Sequence, residues 1–169
     1  SLLSLDCPAS VRGLLYRVVE GLGSTPRNIL SPQLKGIDPA GRKFLKSENV
    51  KVGMSSIYIP ELITKKKVRL RALLWATANQ HSVPAIVSKS GRAGYEASKA
   101  SKNFWLSTGH FTFGGRALRL DRVEKLASIL RRRGRQGPFL VTPDLLELAE
   151  CNKVDFAALA KCLGYRTSS

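Results

Sequence analysis

The stretch from Asp121 to Arg166 constrains the fold more than any other part of the chain. Asp121 is followed by Glu124 at the spacing of an N-cap and its capping box, and Val123, Leu126, Ala127 and Leu130 then recur at helical spacing. Gly134 and Gly137 end that helix, and the apolar run Phe139-Leu140-Val141 is short enough for one strand. Thr142 caps a second helix, with Pro143 at its first position and Asp144 in its first turn. Cys151-Asn152 turns the chain. Asn152 with Asp155 opens a third helix whose inner face is Phe156, Leu159, Ala160 and Leu163, and Gly164 stops it.

Helix, strand, helix, tight turn, helix is the order of a winged helix-turn-helix unit, here cut off before its wing. The last helix would be the one offered to a duplex. Its outer positions are Lys153, Ala157, Ala158 and Lys161, with acidic Asp155 at its start. None can make the bidentate contact with a base edge that Arg, Asn or Gln makes. The module is therefore expected to grip a backbone or pack on a parent, not to read sequence.

The front of the chain is plainer. Cys7-Pro8 begins a helix with Val11, Leu14, Leu15, Val18 and Leu22 on one face, ended by Gly21 and Gly23. Asp38-Pro39 starts a short helix containing Phe44 and Leu45. Val50 to Ile59 is rich in β-formers but broken at Gly53, which gives one bent strand or two short ones, and Pro60 stops it. A helix from Lys65 to Asn79 follows, with Thr64 as cap, Leu70, Leu73, Leu74 and Ala78 facing inward, and Trp75 over the seam.

From His81 to Lys102 the periodicity dissolves into small, polar and basic residues, the composition of a mobile linker or exposed loop. His110 to Phe113 and Arg116 to Arg119 flank Gly114-Gly115, which makes a hairpin leading into Asp121. The expected architecture is α+β and predominantly helical. It comprises a helical part with short β-strands (1–80), a basic flexible linker with a short helix (81–109), and a hairpin plus winged-helix-like module (110–169).

Charge narrows the function. Against 12 Asp and Glu stand 28 Lys and Arg, a net +16, a field that attracts polyanions and points to nucleic acid ahead of an anionic membrane. Lys65, Lys66 and Lys67, with Arg69 and Arg71, crowd a helix start, where cations oppose the dipole unless an anion is bound. Arg131, Arg132 and Arg133, with Arg135, sit at a helix end, where the dipole favours them with or without a ligand. These residues, with Lys153 and Lys161, are the candidate nucleic-acid contacts. The linker cations Lys89, Arg92, Lys99 and Lys102 would add only non-specific contacts. Tyr58, Trp75, Trp105, Phe111 and Phe113 could stack on bases, though their spacing suits a core.

Catalytic patterns are missing. The sequence has no Gly-x-x-x-x-Gly-Lys-Ser/Thr loop, and Gly91-Arg92-Ala93-Gly94 is too short and lacks a preceding strand. Its carboxylates are scattered, and no nucleophile stands beside a base. Cys7, Cys151 and Cys162 are odd in number and have no metal-ligand spacing with His81 or His110, so a reducing cytosol and no metal are expected. No apolar run is long enough to cross a membrane, and none reads as a signal peptide. Because the chain starts at Ser1 and not Met, it reads as a piece of something longer.

Four segments carry a resemblance: Asp6 to Gly23, Val50 to Ala76, Gly115 to Leu130, and Phe139 to Arg166 with its closing Leu163-Gly164-Tyr165-Arg166. In order and spacing they resemble the C-terminal region of alphaproteobacterial superfamily-two helicases, relatives of the mitochondrial degradosome RNA helicase. Lys65-Lys66-Lys67 departs from that pattern, in which proline is expected. The resemblance implies a cytoplasmic, non-catalytic accessory region of an ATP-dependent helicase. ATP and magnesium would belong to the parent core alone, and this region would carry no cofactor. Its partners would be RNA or single-stranded DNA and the helicase core of the same polypeptide, with no membrane. The alternative is a protein-docking platform that recruits a nuclease or ribosomal partner.

Overall fold

The computed structural model describes residues 6–84 and 92–166; Lys89 and Gly91, named above, lie outside the described residues. Helix α1 (Ala9–Glu20) buries Val11, Leu14, Leu15 and Val18 against Leu30, Leu45, Val50 and Ile57. It ends at Gly21, and the chain reverses through Leu22 and Gly23 at φ 55° and 97° into strand β1 (Ser24–Pro26). Helices α2 (Ser31–Lys35) and α3 (Pro39–Ser47) follow, and the Asp38 carboxylate caps α3 by accepting from the Gly41 N–H at 2.6 Å. Gly53 divides the β-forming run into two strands, β2 (Lys51–Val52) and β3 (Ser56–Tyr58), and an antiparallel sheet forms in the order β1-β3-β2.

Helix α4 (Lys65–Asn79) has the expected bounds but not the expected face. Val68, Arg71, Ala72 and Ala76 are buried, whereas Leu70, Leu73 and Leu74 are about half exposed at 48%, 49% and 48%, and Ala78 is exposed. The reason is the neighbour. Val68 and Ala72 pack on the large rings of Phe104 and Trp105, and only small side chains let the backbone come that close.

The expected short helix before the hairpin forms, but residues 92–101, expected as linker, carry regular structure of their own. Strand β4 (Gly94–Glu96) pairs antiparallel with β6, a turn covers Ala97–Lys99, and helix α5 (Lys102–Ser107) is capped by Ser101, whose hydroxyl accepts from the Phe104 N–H at 3.1 Å. Its Phe104 and Trp105 are fully buried. A three-residue strand held by backbone pairing leaves no alternation in the sequence to betray it. The hairpin of β5 (His110–Phe113) and β6 (Arg116–Arg119) forms as expected through Gly114 at φ 50°, which gives a second sheet in the order β4-β6-β5.

Three helices close the chain: α6 (Leu120–Gly134), α7 (Pro143–Ala149) and α8 (Lys153–Cys162). Leu126, Leu130, Leu145, Phe156 and Leu159 share one buried cluster with Phe113 and Leu118 of the hairpin. Asn152 caps α8 by accepting from the Asp155 N–H at 2.8 Å. At its other end the Tyr165 N–H bonds the Ala160 carbonyl at 2.9 Å and the Gly164 N–H that of Lys161 at 3.0 Å, a pairing that needs Gly164 at its φ of 89°.

Three local features of the C-terminal part differ from the sequence expectation. Asp121 lies inside α6, not at its cap, where it receives both arms of the Arg119 guanidinium at 2.6 and 2.8 Å. Phe139-Leu140-Val141 is not a strand: no sheet edge pairs with it, and Leu140 is 85% exposed. Thr142 stands at the start of α7 but makes no capping hydrogen bond, its hydroxyl being engaged by Arg133 at 2.8 Å.

Candidate nucleic-acid interface

At the start of α4, Lys65, Lys66, Lys67 and Arg69 are all exposed, and the helix contains no carboxylate. Thr64 occupies the cap position without a side-chain hydrogen bond, so no hydroxyl from it covers the first-turn amides. Four cations at an end that already carries partial positive charge form a ready anion site.

Arg71, one turn on, does not belong to that group. It is 3% exposed, donating from Nε to the Ser107 carbonyl at 2.9 Å and from Nη2 to the Gly21 carbonyl at 2.9 Å and the Ser24 hydroxyl at 2.6 Å. Burial pushes its guanidinium down to about 10, still charged at neutral pH. Among the described residues no carboxylate pairs with it. Its partners are the terminal carbonyls of α1 and α5, where two helix dipoles present their negative ends. Arg71 is a structural staple, too buried to be the nucleic-acid contact expected of it.

Arg131, Arg132 and Arg135 are exposed at the end of α6. Arg133 is partly committed, bonding Thr142 and, at 3.0 Å, the Asp144 carboxylate. The Thr142 hydroxyl and then the Arg133 charge hold Asp144 below the usual carboxylate range. Lys153 and Lys161 are exposed near opposite ends of α8.

Tertiary structure adds a feature the sequence did not advertise. Glu124 points away from α6 to the β2–β3 turn, accepting from the Met54 N–H at 2.8 Å, the Ser55 N–H at 3.0 Å and the Ser55 hydroxyl at 2.6 Å. Gly53 makes this possible, because a Cβ there would lie 2.3 Å from the Glu124 carboxyl carbon. The clamp places Arg131, whose guanidinium touches the Met54 sulfur, beside a cleft of about 320 Å³ lined by Lys51 and Tyr58. Burial, and then the charges of Glu124 and Asp121, raise the Tyr58 phenol, so it stays neutral. Lys51 and Arg131 line this cleft together with the half-buried Tyr58 ring and the Glu124 carboxylate. Of the other aromatic candidates, Trp105 and Phe113 are core residues.

His110 is 1% exposed among Tyr95 and Trp105, with Nδ1 3.0 Å from the Thr108 hydroxyl. Burial, then the charges of Arg119 and Arg71, push its pKa from 6.5 down to about 3. The unfolded chain therefore takes up the proton first as pH falls. Its contribution is flat above about 6.5, and stability is lost from there toward about 3. Urea melts between pH 6.5 and 4.5 should show a loss approaching about 1.4 kcal/mol per pH unit, absent in His110→Phe. A variant with the parent's slope would assign the acid sensitivity to carboxylates. No group of three or more His, Cys, Asp or Glu among the described residues could hold a metal ion.

No family model, curated protein or solved structure matches this chain.

Proposed function

We propose that this chain is a non-catalytic accessory region of an ATP-dependent helicase that holds the phosphate backbone of RNA, or of single-stranded DNA, without reading bases. The observation that carries the proposal is the exposed Lys65-Lys66-Lys67-Arg69 group on a helix free of carboxylates, within a chain of net charge +16. Arg131, Arg132 and Arg135, and the Lys51–Tyr58–Arg131 cleft, extend the surface. Hairpin β5–β6 and helices α6 to α8 act in this reading as a winged-helix-like module, with Lys153 and Lys161 as backbone contacts. The helicase parent rests on the sequence resemblance.

Replacing Lys65, Lys66 and Lys67 together with glutamine tests the proposal. Folding should be unchanged or slightly improved, because three charges that oppose the α4 dipole are removed. Affinity for single-stranded RNA should fall similarly for all sequences. The slope of log K against log salt should flatten by about 0.7 per lost phosphate contact. Unchanged affinity and slope would move the surface to Arg131–Arg135.

A further inference from the structure

Helix α4 carries two stripes at helical spacing. One, Val68-Arg71-Ala72-Ala76, is spent on the fold. The other, Leu70-Leu73-Leu74, stands about half exposed, at 48%, 49% and 48%. Spacings of three and four residues place these leucines side by side within about 6 Å of helix axis. Isolated surface leucines need no explanation, but a contiguous row on one helix marks a surface awaiting a partner. Its border is charged. Lys66 and Lys67 lie four and three residues before Leu70, Arg69 lies four before Leu73, and all three are exposed.

This chemistry selects among occupants. Phosphates would satisfy the cations but leave the leucines wet. A second copy would cover the leucines while bringing together two helices that both carry the cations and have no carboxylate. An amphipathic helix with an apolar stripe flanked by Asp and Glu satisfies both features at once, and the chain's net +16 would steer it in. We infer that the Leu70-Leu73-Leu74 face of α4 is a docking site for an acidic amphipathic helix of a partner protein. This site shares Lys66, Lys67 and Arg69 with the proposed backbone-holding surface, but its leucine face stands whether or not that reading holds.

The probe is a fluorescein-labelled synthetic peptide of about 20 residues, long enough to form helix, with leucines at i, i+3, i+4 and i+7 and glutamates beside them. It is titrated with the full chain and followed by anisotropy. A scrambled peptide and one with lysine for glutamate should each bind at least about tenfold more weakly. Combined Leu70→Ser, Leu73→Ser and Leu74→Ser should cost about tenfold or more in peptide affinity while leaving the folded chain's RNA affinity at the parent's value. Leu73→Glu alone, which sets a carboxylate against the glutamates, should weaken binding comparably and serves if the triple variant does not fold. Lys66→Gln with Lys67→Gln and Arg69→Gln should cost severalfold, and less in high salt. Acidic-peptide binding no tighter than scrambled, or untouched by the serine and glutamate variants, overturns the inference. So does a leucine-dependent dimer in sedimentation. Leucine-dependent binding to phosphatidylcholine vesicles with about 30% phosphatidylglycerol, without preference for the acidic peptide, would overturn it in favour of a membrane.

Discussion

Arg71→Met is expected to lower the stability of the chain by about 2–4 kcal/mol. Methionine keeps the length and packing of the side chain but cannot donate. The Ser107 and Gly21 carbonyls and the Ser24 hydroxyl each lose a charged donor. A buried acceptor left without its partner costs about 1–3 kcal/mol. The loss is less than the sum for two reasons. The Gly21 carbonyl keeps a second bond, from the Ser24 N–H at 3.3 Å, and removing a buried guanidinium relieves its own desolvation. Because the arginine joins α4 to the ends of α1 and α5, the change should lower the urea midpoint as a single transition. Arg71→Lys should recover only part, since an ammonium cannot reproduce the planar fork. A loss below about 0.5 kcal/mol in Arg71→Met would mean that water takes over all three acceptors and that the staple is dispensable.

Phe156→Ala should cost about 3–5 kcal/mol, the largest effect of any single truncation in the C-terminal cluster. The ring is 1% exposed and shares its cluster with Leu126, Leu130, Leu145 and Leu159, so its removal opens a cavity bounded by all three closing helices. Val154, two residues away on α8, is 79% exposed and supplies the control: Val154→Ala should stay within about 0.5 kcal/mol of the parent. Chemical melts of the two variants measure both effects. A Phe156→Ala loss below about 1 kcal/mol would mean that α8 is not packed on α6 and α7 as described.

Most of what is local was legible from residues alone. The Asp38 and Asn152 caps, the glycine at Gly164, the break at Gly53 and the Gly114-Gly115 turn all act within a few residues of themselves. Periodicity also assigned the buried faces of α1, α6 and α8, where one stripe is apolar and the opposite one is not. Of the candidate contacts, the sequence placed Lys65, Lys66, Lys67 and Arg69 on one helix start, and all are exposed. It offered no way to see that Lys51 and Arg131, 80 positions apart, flank one cleft, since Glu124 brings them there through bonds to Met54 and Ser55.

On α4 both kinds of information meet. The sequence by itself determined that residues 65–79 form a helix, because a run of helix-forming residues settles that among neighbours in the chain. It could not choose between two stripes of equal spacing, and the larger leucines carried the more apolar signal. Tertiary structure chose the other stripe. The space beside Phe104 and Trp105 admits Val68 and Ala72, and the ends of α1 and α5 present carbonyls that only a long donor such as Arg71 can reach. Likewise Gly94–Glu96 became a strand because β6 offered it a backbone ladder, while the more β-prone Phe139-Leu140-Val141 found no partner and stayed irregular. A helix hydrogen-bonds within itself, so its existence is a property of the local sequence. The choice of a helix's buried face, like the existence of a strand, depends on the shape and unpaired groups of residues far away in the chain.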